Sequence, residues 1–407
     1  MWKALRWPIR IVATLAILFV LYVNIRLLET PVCDPAGADF APVDVVKQLH
    51  FLKKALHEEK AAEDMQLLYP EGFVFLHALY ALTWCEVVEN LPFESVGWQE
   101  GLGEIAFSVD ALDSPAARSV FNPDLPLAYG AFYRGWSAYV RGNFLAVQTP
   151  QMRDSAVVRQ FQGECQSIAR AISGTAQPYL ESYRHLAWPA DNIVCLAALD
   201  WHDRMFEPRF QDVRTEWLRR IKNNLDPGLH LIPHGYDLER EKPLEGVRGS
   251  SQSLMLVFLA DIDSAFAADQ YRKYRDHFLT SRLGMPGVRE YPRGQSGLGD
   301  VDSGPVIAGI GAAASIVGLK TALRFGDRET ATGLYLGLNA LLLARSDKDE
   351  KYCLFGQLPM ADAFLAWSST QICPAFTRQT NNHPVETLLY SLLIVAINVF
   401  LIWKTRF

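Results

Sequence analysis

The chain has 407 residues, of which 50% are hydrophobic and 21% are charged, and its formal net charge is −6. This apolar content suffices for a large core and excludes a wholly disordered chain. The lack of a basic excess argues against a nucleic-acid partner.

An apolar segment near the N-terminus, residues 11–25, is the first element along the chain. Its 15 uncharged residues lie between Arg10 and Arg26, and no small-residue cleavage site follows it. A cleaved signal peptide is the alternative interpretation of such a segment. We predict an uncleaved anchor over residues 1–29, although a helix that spans a bilayer needs about 20 residues.

The middle of the chain repeats at a spacing that suits pairs of helices. Six clusters rich in Gly, Pro and Asp each precede a strongly apolar segment, and their central residues are 52 to 62 residues apart. These central residues are Glu71, Tyr129, Asp191, Ser250, Asp302 and Asp362. A period of this length fits two helices and two loops per unit.

The helices that alternate with these segments are predicted to be amphipathic. Four of them, residues 46–63, 153–172, 210–223 and 265–278, carry one charged face, whereas residues 306–323 are almost entirely apolar or small and predict a helix buried on all sides. The sequence therefore predicts an all-α (α/α)6 toroid of six helical hairpins over residues 40–370, with an irregular helical bundle as the alternative.

A second apolar segment, residues 387–403, closes the chain and predicts a C-terminal transmembrane helix over residues 386–407. Basic residues lie on the outer flank of each segment, namely Lys3, Arg6, Arg10, Lys404 and Arg406. The positive-inside rule then places both termini in the cytoplasm and the toroid in the periplasm or outside the cell. Both helices would contact the lipid bilayer.

The cysteines are interpreted in that setting. In an oxidising compartment a disulfide between Cys353 and Cys373 is one interpretation of their positions, and two unpaired cysteines are the other. Cys85, Cys165 and Cys195 lie in apolar helical patterns and are predicted to be core residues.

The toroid geometry gathers the six clusters at one mouth, because the inner helices run roughly parallel. Helix N-termini offer free N–H groups and a positive dipole end, which stabilise carboxylates. An N-capping role is the alternative for Glu71 and for each Asp and Ser there. The candidate substrate-binding residues at this mouth are Glu71, Tyr129, Trp188, Arg248, Ser251 and Tyr291.

The loop from Glu290 to Pro305 is the densest polar segment. It holds Glu290, Tyr291, Asp300 and Asp302 among several glycines. Carboxylates with separated pKa values can serve as general acid and general base. We predict Glu290 as the acid, Asp191 or Asp302 as the base or charge stabiliser, and Asp300 as a further catalytic residue. The histidines show no metal-ligand spacing, so neither a metal nor a cofactor is predicted.

Three motifs carry a family resemblance: WPADN from Trp188, RGSSQSL from Arg248, and EYPRGQSGLGDVDSGP from Glu290. Together they resemble a bacterial group of (α/α)6-toroid membrane proteins that is distantly similar to linalool dehydratase/isomerase. The resemblance covers roughly residues 65 to 370. It implies acid/base dehydration or isomerisation of a small alcohol or isoprenoid-like substrate, and Cys195 is the one cysteine that it brings into consideration.

Three functions are therefore in competition. The first is a lyase or isomerase that uses carboxylate acid/base chemistry on a small alcohol. The second is a glycan-active hydrolase or lyase of the cell envelope, which fold analogy alone supports. The third is a non-catalytic envelope protein that binds a partner. A closed apolar pocket favours the first function, an open aromatic groove favours the second, and a mouth filled by side chains favours the third.

Overall fold

A computed structural model of the protein describes residues 2–29, 31, 42–301, 303–373 and 385–405. The helices are α1 (Trp2–Arg26), α2 (Val43–Glu58), α3 (Ala61–Leu68), α4 (Gly72–Val88), α5 (Val96–Leu112), α6 (Pro115–Arg118), α7 (Gly130–Ala146), α8 (Ser155–Ser173), α9 (Pro189–Met205), α10 (Gln211–Lys222), α11 (Gly249–Ile262), α12 (Ser264–Phe278), α13 (Ala312–Arg324), α14 (Arg328–Leu341), α15 (Pro359–Ser369) and α16 (Val385–Lys404). The strands are β1 (Leu186–Ala187), β2 (Gly235–Asp237), β3 (Lys242–Glu245), β4 (Leu279–Arg282), β5 (Met285–Val288), β6 (Val306–Ile307), β7 (Ile310–Gly311), β8 (Arg345–Ser346) and β9 (Lys351–Tyr352).

Six of these helices form a closed ring. In order of contact they are α4, α7, α9, α11, α13 and α15, and α15 returns to contact α4. A second set packs around the ring: α2, α5, α8, α10, α12 and α14. The prediction of an all-α (α/α)6 toroid is confirmed, and apolar helices flank it at both ends of the chain.

Sequence pattern explains which helices lie inside. All but two residues of α4 are buried, because its apolar residues cover every side of the helix. By contrast, α8 buries Phe161, Glu164, Cys165, Ile168, Ala169 and Ile172 out of 19 residues. That spacing of three and four gives one buried stripe, which is typical of an outer helix.

The inner helices α7 and α9 run in the same direction. Gly135 of α7 lies against Cys195 of α9. Gly142, seven residues further along α7, lies against Trp201, which is six residues further along α9. A Cβ atom at Gly135 would lie 3.0 Å from the Cys195 sulfur, so glycine permits this close approach. Phe75, in the first turn of α4, contacts Phe364 at the middle of α15. We call the end of the toroid formed by these N-terminal turns the mouth.

Aromatic side chains fill the axis of the ring below the mouth. Phe75 lies 4.8 Å from Phe132 and 5.2 Å from Trp136, measured between ring centroids. Trp136 contacts Phe258 at 5.7 Å, and Phe258 contacts Trp367 at 6.1 Å. Five inner-helix aromatics from four helices therefore meet on the axis, and the toroid is a packed core rather than a channel at this depth.

Two predicted helices differ from those observed. The helix predicted over residues 306–323 begins at Ala312, because Ala308 and Gly309 have φ values of 51° and 82° and turn the chain into the β6–β7 hairpin. The helix predicted over residues 46–63 ends at Glu58, because Lys60 has a φ of 56° that an α-helix does not accept. The other three predicted outer helices match α8, α10 and α12 within two residues.

Short strands, which the sequence pattern does not reveal, lie in the loops between the helices. They form a three-stranded sheet in the order β1-β2-β3 and the pairs β4-β5, β6-β7 and β8-β9, all antiparallel. With two to four residues each, these strands are too short for a period-two pattern to be recognised.

The terminal helices α1 and α16 are long and apolar enough to cross a membrane over Arg6–Arg26 and Glu386–Lys404, and most of their surface is exposed. They pack together antiparallel: Asn24 Nδ2 donates to Ser391 Oγ at 2.7 Å, and Arg10 Nε donates to Thr405 Oγ1 at 3.2 Å. The end of α1 also packs on α14 of the toroid through a small apolar cluster of Val23, Leu27 and Ala340.

The four cysteines at positions 85, 165, 195 and 353 are free and buried. The prediction that the first three are core residues is confirmed. Because Cys353 is also a free thiol, the disulfide interpretation of Cys353 and Cys373 is wrong. The alternative of two unpaired cysteines is wrong as well, because Cys373 is disulfide-bonded, though not to Cys353. Cys353 instead lies near Asp362 in the loop before α15, where its N–H group donates to the carboxylate at 2.8 Å.

Candidate active site at the mouth

A buried arginine organises one side of the mouth. Arg248 lies at the start of α11 and is 3% exposed. Its Nε donates to Glu290 Oε1 at 2.8 Å, and its Nη2 donates to Asp300 Oδ1 at 3.0 Å. Glu290 is fully buried, whereas the Asp300 side chain is 46% exposed. One guanidinium group therefore joins an enclosed carboxyl to an accessible one.

The two carboxyls have opposite pKa shifts. Burial raises the pKa of Glu290 above its ordinary value, although the hydrogen bonds from Ser250 and Arg248 oppose it. Burial also acts to raise the pKa of Asp300, but hydrogen bonds from Arg248 and the Ser303 N–H outweigh it, and the net shift is strongly downward. Asp300 is therefore ionised at neutral pH, and Glu290 is the carboxyl that more readily holds a proton.

His234 is a neighbour of this pair that the sequence does not single out. Its Nδ1 is hydrogen-bonded to Ser251 Oγ, and its Nε2 lies 3.4 Å from Arg248 Nη1. Burial, followed by the charge of Arg248, lowers the pKa of His234 to about 3. A neutral imidazole follows, in which Nε2 accepts from Arg248 and the Nδ1–H group donates to Ser251.

The hydroxyls at the start of α11 do not cap the helix. Ser250 Oγ donates to Glu290 Oε1 at 2.7 Å, and Ser251 pairs with His234. The capping interpretation of both serines is wrong, because their side chains turn to tertiary partners. Gly249 allows this arrangement: a Cβ atom there would lie 1.9 Å from the Arg289 carbonyl oxygen.

Tyr291 shapes the glycine-rich loop that presents Asp300. Its ring lies 5.7 Å from the Arg248 guanidinium carbon, and its hydroxyl donates to the Leu298 carbonyl at 2.7 Å.

Asp302 lies outside the described residues, so its role stays a prediction. We call the residues on this side the arginine cluster: His234, Arg248, Ser250, Ser251, Glu290, Tyr291 and Asp300.

A second group of side chains gathers at the starts of α4, α7 and α9. Glu71 precedes α4 and accepts a hydrogen bond from the Tyr183 hydroxyl, while Ser182 Oγ donates to Asp191 Oδ2 at 2.5 Å. The rings of Tyr183 and Trp188 are 5.6 Å apart. Neither carboxylate caps its helix, so the capping interpretation is wrong here too. We call this group the tyrosine cluster: Glu71, Tyr129, Ser182, Tyr183, Trp188 and Asp191.

Tyr129 belongs to the tyrosine cluster through its backbone and its ring. Its φ is 70°, and Gly130, with a φ of 79°, follows it directly into α7. A Cβ atom at Gly130 would lie 2.3 Å from the Ser182 carbonyl oxygen, so this turn presses against the loop that carries Tyr183. The ring of Tyr129 lies 5.3 Å from the Arg134 guanidinium carbon, a cation–π contact.

A small sheet connects the two clusters. Strand β1, which precedes Trp188, pairs with β2, which follows His234, so that Ala187 is opposite Tyr236. Sequence-distant candidates are therefore brought to one end of the toroid in two adjoining groups. Among the described residues, no group of three or more His, Cys, Asp or Glu side chains is placed to hold a metal ion.

Cys195, the cysteine that the family resemblance brings into consideration, is enclosed in the core. It is fully buried between α7 and α9, and its sulfur lies 3.4 Å from the Ala131 carbonyl oxygen. Burial strongly raises the pKa of the Cys195 thiol, and the negative charge of Asp191 raises it further. A thiol in this setting is not a nucleophile, since the thiolate is the reactive form.

Asp362 behaves differently from the carboxylates of the two clusters. It is fully buried beneath the mouth and accepts from the Cys353 N–H group and from Gln48 Nε2, at 2.8 Å and 3.2 Å, so it does not cap α15. Burial raises its pKa to about 7, against the weaker effect of these hydrogen bonds. The ordinary pKa of an aspartate is near 4.

The free energy of unfolding is therefore expected to fall as the pH rises from about 4 to about 7. In that window the folded protein binds a proton that the unfolded chain has released, and the loss reaches about 4 kcal/mol. Asp362→Asn keeps an acceptor for Cys353 and is expected to remove this pH dependence and to stabilise the protein at pH 8. Chemical denaturation at pH 5 and pH 8 measures the free energy of unfolding, with the variant Asp269→Asn on outer helix α12 as control. An unchanged pH dependence in Asp362→Asn would contradict the assignment.

No family model and no curated protein matches the sequence. The fold is similar to several solved structures. They include a GH76 α-mannanase from Bacteroides thetaiotaomicron (8% identity, TM-score 0.47, covering 73% of this chain and 86% of that one). A further example is an unsaturated glucuronyl hydrolase from Bacillus sp. GL1, with 10% identity and a TM-score of 0.43, covering 93% of this chain and 100% of that one. Another is a D-mannose isomerase, with 9% identity and a TM-score of 0.42, covering 94% of this chain and 97% of that one. None of these likenesses assigns a substrate or a residue role to this chain, and the resemblance to linalool dehydratase/isomerase stays a prediction.

Proposed function

We propose that the protein is a membrane-anchored enzyme that uses carboxylate acid/base chemistry at the mouth on a hydroxyl-rich, glycan-type substrate. The observation that carries this proposal is Arg248, which holds Glu290 and Asp300 one guanidinium group apart with opposite pKa shifts. Paired carboxyls with separated pKa values are what glycoside hydrolysis and related eliminations require.

The accessibility of each group suggests its role. Asp300 is exposed and ionised, so it is placed to act as a base or to stabilise positive charge. Glu290 is enclosed and reaches the mouth through Ser250, whose hydroxyl is hydrogen-bonded to it and partly exposed. A proton held on Glu290 reaches a substrate oxygen once the Ser250 hydroxyl turns to accept it and gives its own proton to the substrate. His234 and Ser251 position Arg248.

The shape of the toroid favours a glycan over a small alcohol. The axis is filled by aromatic packing below the mouth, so a substrate is expected to bind on the mouth rather than in an enclosed apolar pocket. Four partly exposed rings, Tyr129, Tyr183, Trp188 and Tyr291, flank the carboxylates there and offer flat apolar faces beside polar groups. A lyase or isomerase acting on a small alcohol is the second candidate, supported by the partly exposed apolar rings of Phe75 and Phe364.

The experiment is a product screen by mass spectrometry. The full chain is incubated with a panel of oligosaccharides and small tertiary alcohols, and the active substrate is then used for variants. Asp300→Asn and Glu290→Gln are each expected to lower kcat at least about 100-fold, since each removes one half of an acid/base pair. Asp269→Asn, a carboxylate on outer helix α12, is the matched control and is expected to retain full activity.

The outcomes separate the candidate functions. Wild-type rates in both variants would overturn the acid/base assignment. Turnover of an alcohol but of no oligosaccharide would favour the second candidate, and binding of a ligand without turnover would favour a non-catalytic protein.

For the membrane setting, we propose that α1 and α16 span the bilayer with both termini in the cytoplasm. The antiparallel contact of the two helices supports this arrangement, since it places both ends of the chain on the same side. Lys3, Arg6, Arg10 and Lys404 lie at that side. Alkaline phosphatase inserted in the exposed loop after α8 is expected to be active. An inactive fusion, with a fluorescent reporter active at the same point, would place the toroid in the cytoplasm.

A further inference from the structure

A cavity of about 600 Å³ lies where α1 meets the rim of the toroid. Tyr22 and Arg26, in the last turn of α1, line one side, and the segment from Leu343 to Asp347 lines another. The apolar span of α1 ends at Arg26. In the proposed membrane setting, on which this inference rests, the cavity therefore lies at the depth of the lipid headgroups.

Two guanidinium groups face this cavity. Arg26 pairs with Glu29 through Nη1, whereas its Nε is buried and has no hydrogen-bond partner within the described part of the chain. Arg345 lies over the ring of Phe355 at 4.8 Å, and among the residues that the structure describes no carboxylate pairs with it. Among the described residues, Arg345 is therefore the lining cation without a carboxylate partner, whereas Arg26 shares its charge with Glu29.

The acidic residue in the lining, Asp347, forms no ion pair with Arg26 or Arg345 among the described contacts. Asp347 Oδ1 accepts the N–H groups of Asp349 and Glu350, at 2.9 Å and 2.8 Å, and so serves the turn between β8 and β9. Two hydrogen bonds to one carboxylate oxygen fix this side chain in the turn. The guanidinium group of Arg345 therefore keeps its donors for a ligand.

Apolar and aromatic side chains surround the charged groups. Tyr22 and Tyr352 line the cavity, and so does Phe355, which is 54% exposed. Tyrosine at this depth is typical of the membrane interface, and guanidinium groups bind phosphate oxygens in pairs. A ligand that combines a phosphate group with long apolar chains matches both features.

We propose that this cavity binds the phosphate headgroup of an anionic glycerophospholipid, with its acyl chains lying along α1 and α16. The segment that lines it leads from α14 into α15 and so belongs to the rim of the mouth. A bound lipid therefore fixes this sector of the mouth at the membrane surface.

Isothermal titration calorimetry of the full chain in a neutral detergent tests the site. The probes are short-chain phosphatidylglycerol, short-chain phosphatidylcholine and inorganic phosphate. Phosphatidylglycerol is expected to bind at least about tenfold more tightly than inorganic phosphate. Arg345→Gln and Arg26→Gln are each expected to weaken phosphatidylglycerol binding at least about tenfold, because a charged hydrogen bond is lost. Arg159→Gln, an exposed arginine on α8, is the control and is expected to bind like the wild type.

Equal binding by the wild type and both variants would overturn the proposal, and so would equal affinity for phosphatidylglycerol and inorganic phosphate. Carbonate extraction of membranes that contain the full chain reports anchoring separately. A chain that stays in the membrane but does not bind phosphatidylglycerol contradicts the lipid site alone, whereas a chain that is extracted contradicts both the anchoring and the site.

Discussion

Arg248→Met is expected to lower the free energy of unfolding by about 3–5 kcal/mol at pH 8, because it leaves Glu290 as a buried charge without its cation. Glu290 is fully buried, and Arg248 supplies its one close positive charge among the described contacts. At pH 5 the loss is expected to be smaller, since the carboxyl escapes the penalty by binding a proton, and burial already raises its pKa. Urea denaturation at the two pH values measures this difference.

Two further variants show whether the buried charge is the cause. The double variant Arg248→Met/Glu290→Gln removes the charge and is expected to recover part of the loss at pH 8. Arg272→Met, at an exposed arginine on α12, is the matched control and is expected to change stability by about 0.5 kcal/mol or less. A double variant as unstable as Arg248→Met would show that the packing of the arginine side chain, and not the unpaired carboxylate, causes the loss.

Trp136→Ala is expected to lower the free energy of unfolding by about 3–5 kcal/mol, the range for large aromatic residues truncated in a core. Trp136 is fully buried on the axis and contacts rings from two other inner helices, Phe75 and Phe258. Its loss leaves a cavity where α4, α7 and α11 converge. Trp136→Phe is expected to cost less, since the indole Nε1 has no hydrogen-bond partner within the described structure.

The control for this prediction is Phe93→Ala, because the Phe93 side chain is 56% exposed. It is expected to change stability by no more than about 1 kcal/mol. Thermal and urea unfolding of the three variants give the comparison. A loss in Trp136→Ala no larger than that in Phe93→Ala would mean that the axis is not the packed centre of the toroid.

The toroid is predictable from the sequence because its signals are local. Gly72 and Gly130 open α4 and α7 immediately after Glu71 and Tyr129, and Pro189 opens α9. Each change from a polar cluster to an apolar run marks the start of an inner helix. The exception is the cluster that ends at Pro305, where the β6–β7 hairpin precedes α13 and delays it to Ala312. A Gly turn inside an apolar run does not stand out from the small residues of a helix.

The pairings at the mouth are not predictable in the same way. Arg248, Glu290 and Asp300 are all visible as candidates, but their contacts join residues 42 and 52 positions apart. His234 precedes Arg248 by 14 residues, and no spacing rule connects them. Capping is the local expectation for Ser250 and Asp191, yet both hydrogen-bond to partners from other segments. A single sequence carries helix periodicity, whereas such partners are set by how the segments pack.

The contact of α1 with α16 has a consequence for how the ring closes. The chain enters the toroid beside α2 and leaves it after α15, and these two helices pack against each other at the seam of the ring. The pairing of the two outermost helices acts on this seam as a cross-link would, because it confines the ends of the intervening chain. A ring that opens at the seam therefore keeps its two edges within short reach of each other, and the entropy lost on rejoining is smaller than for a chain with free ends.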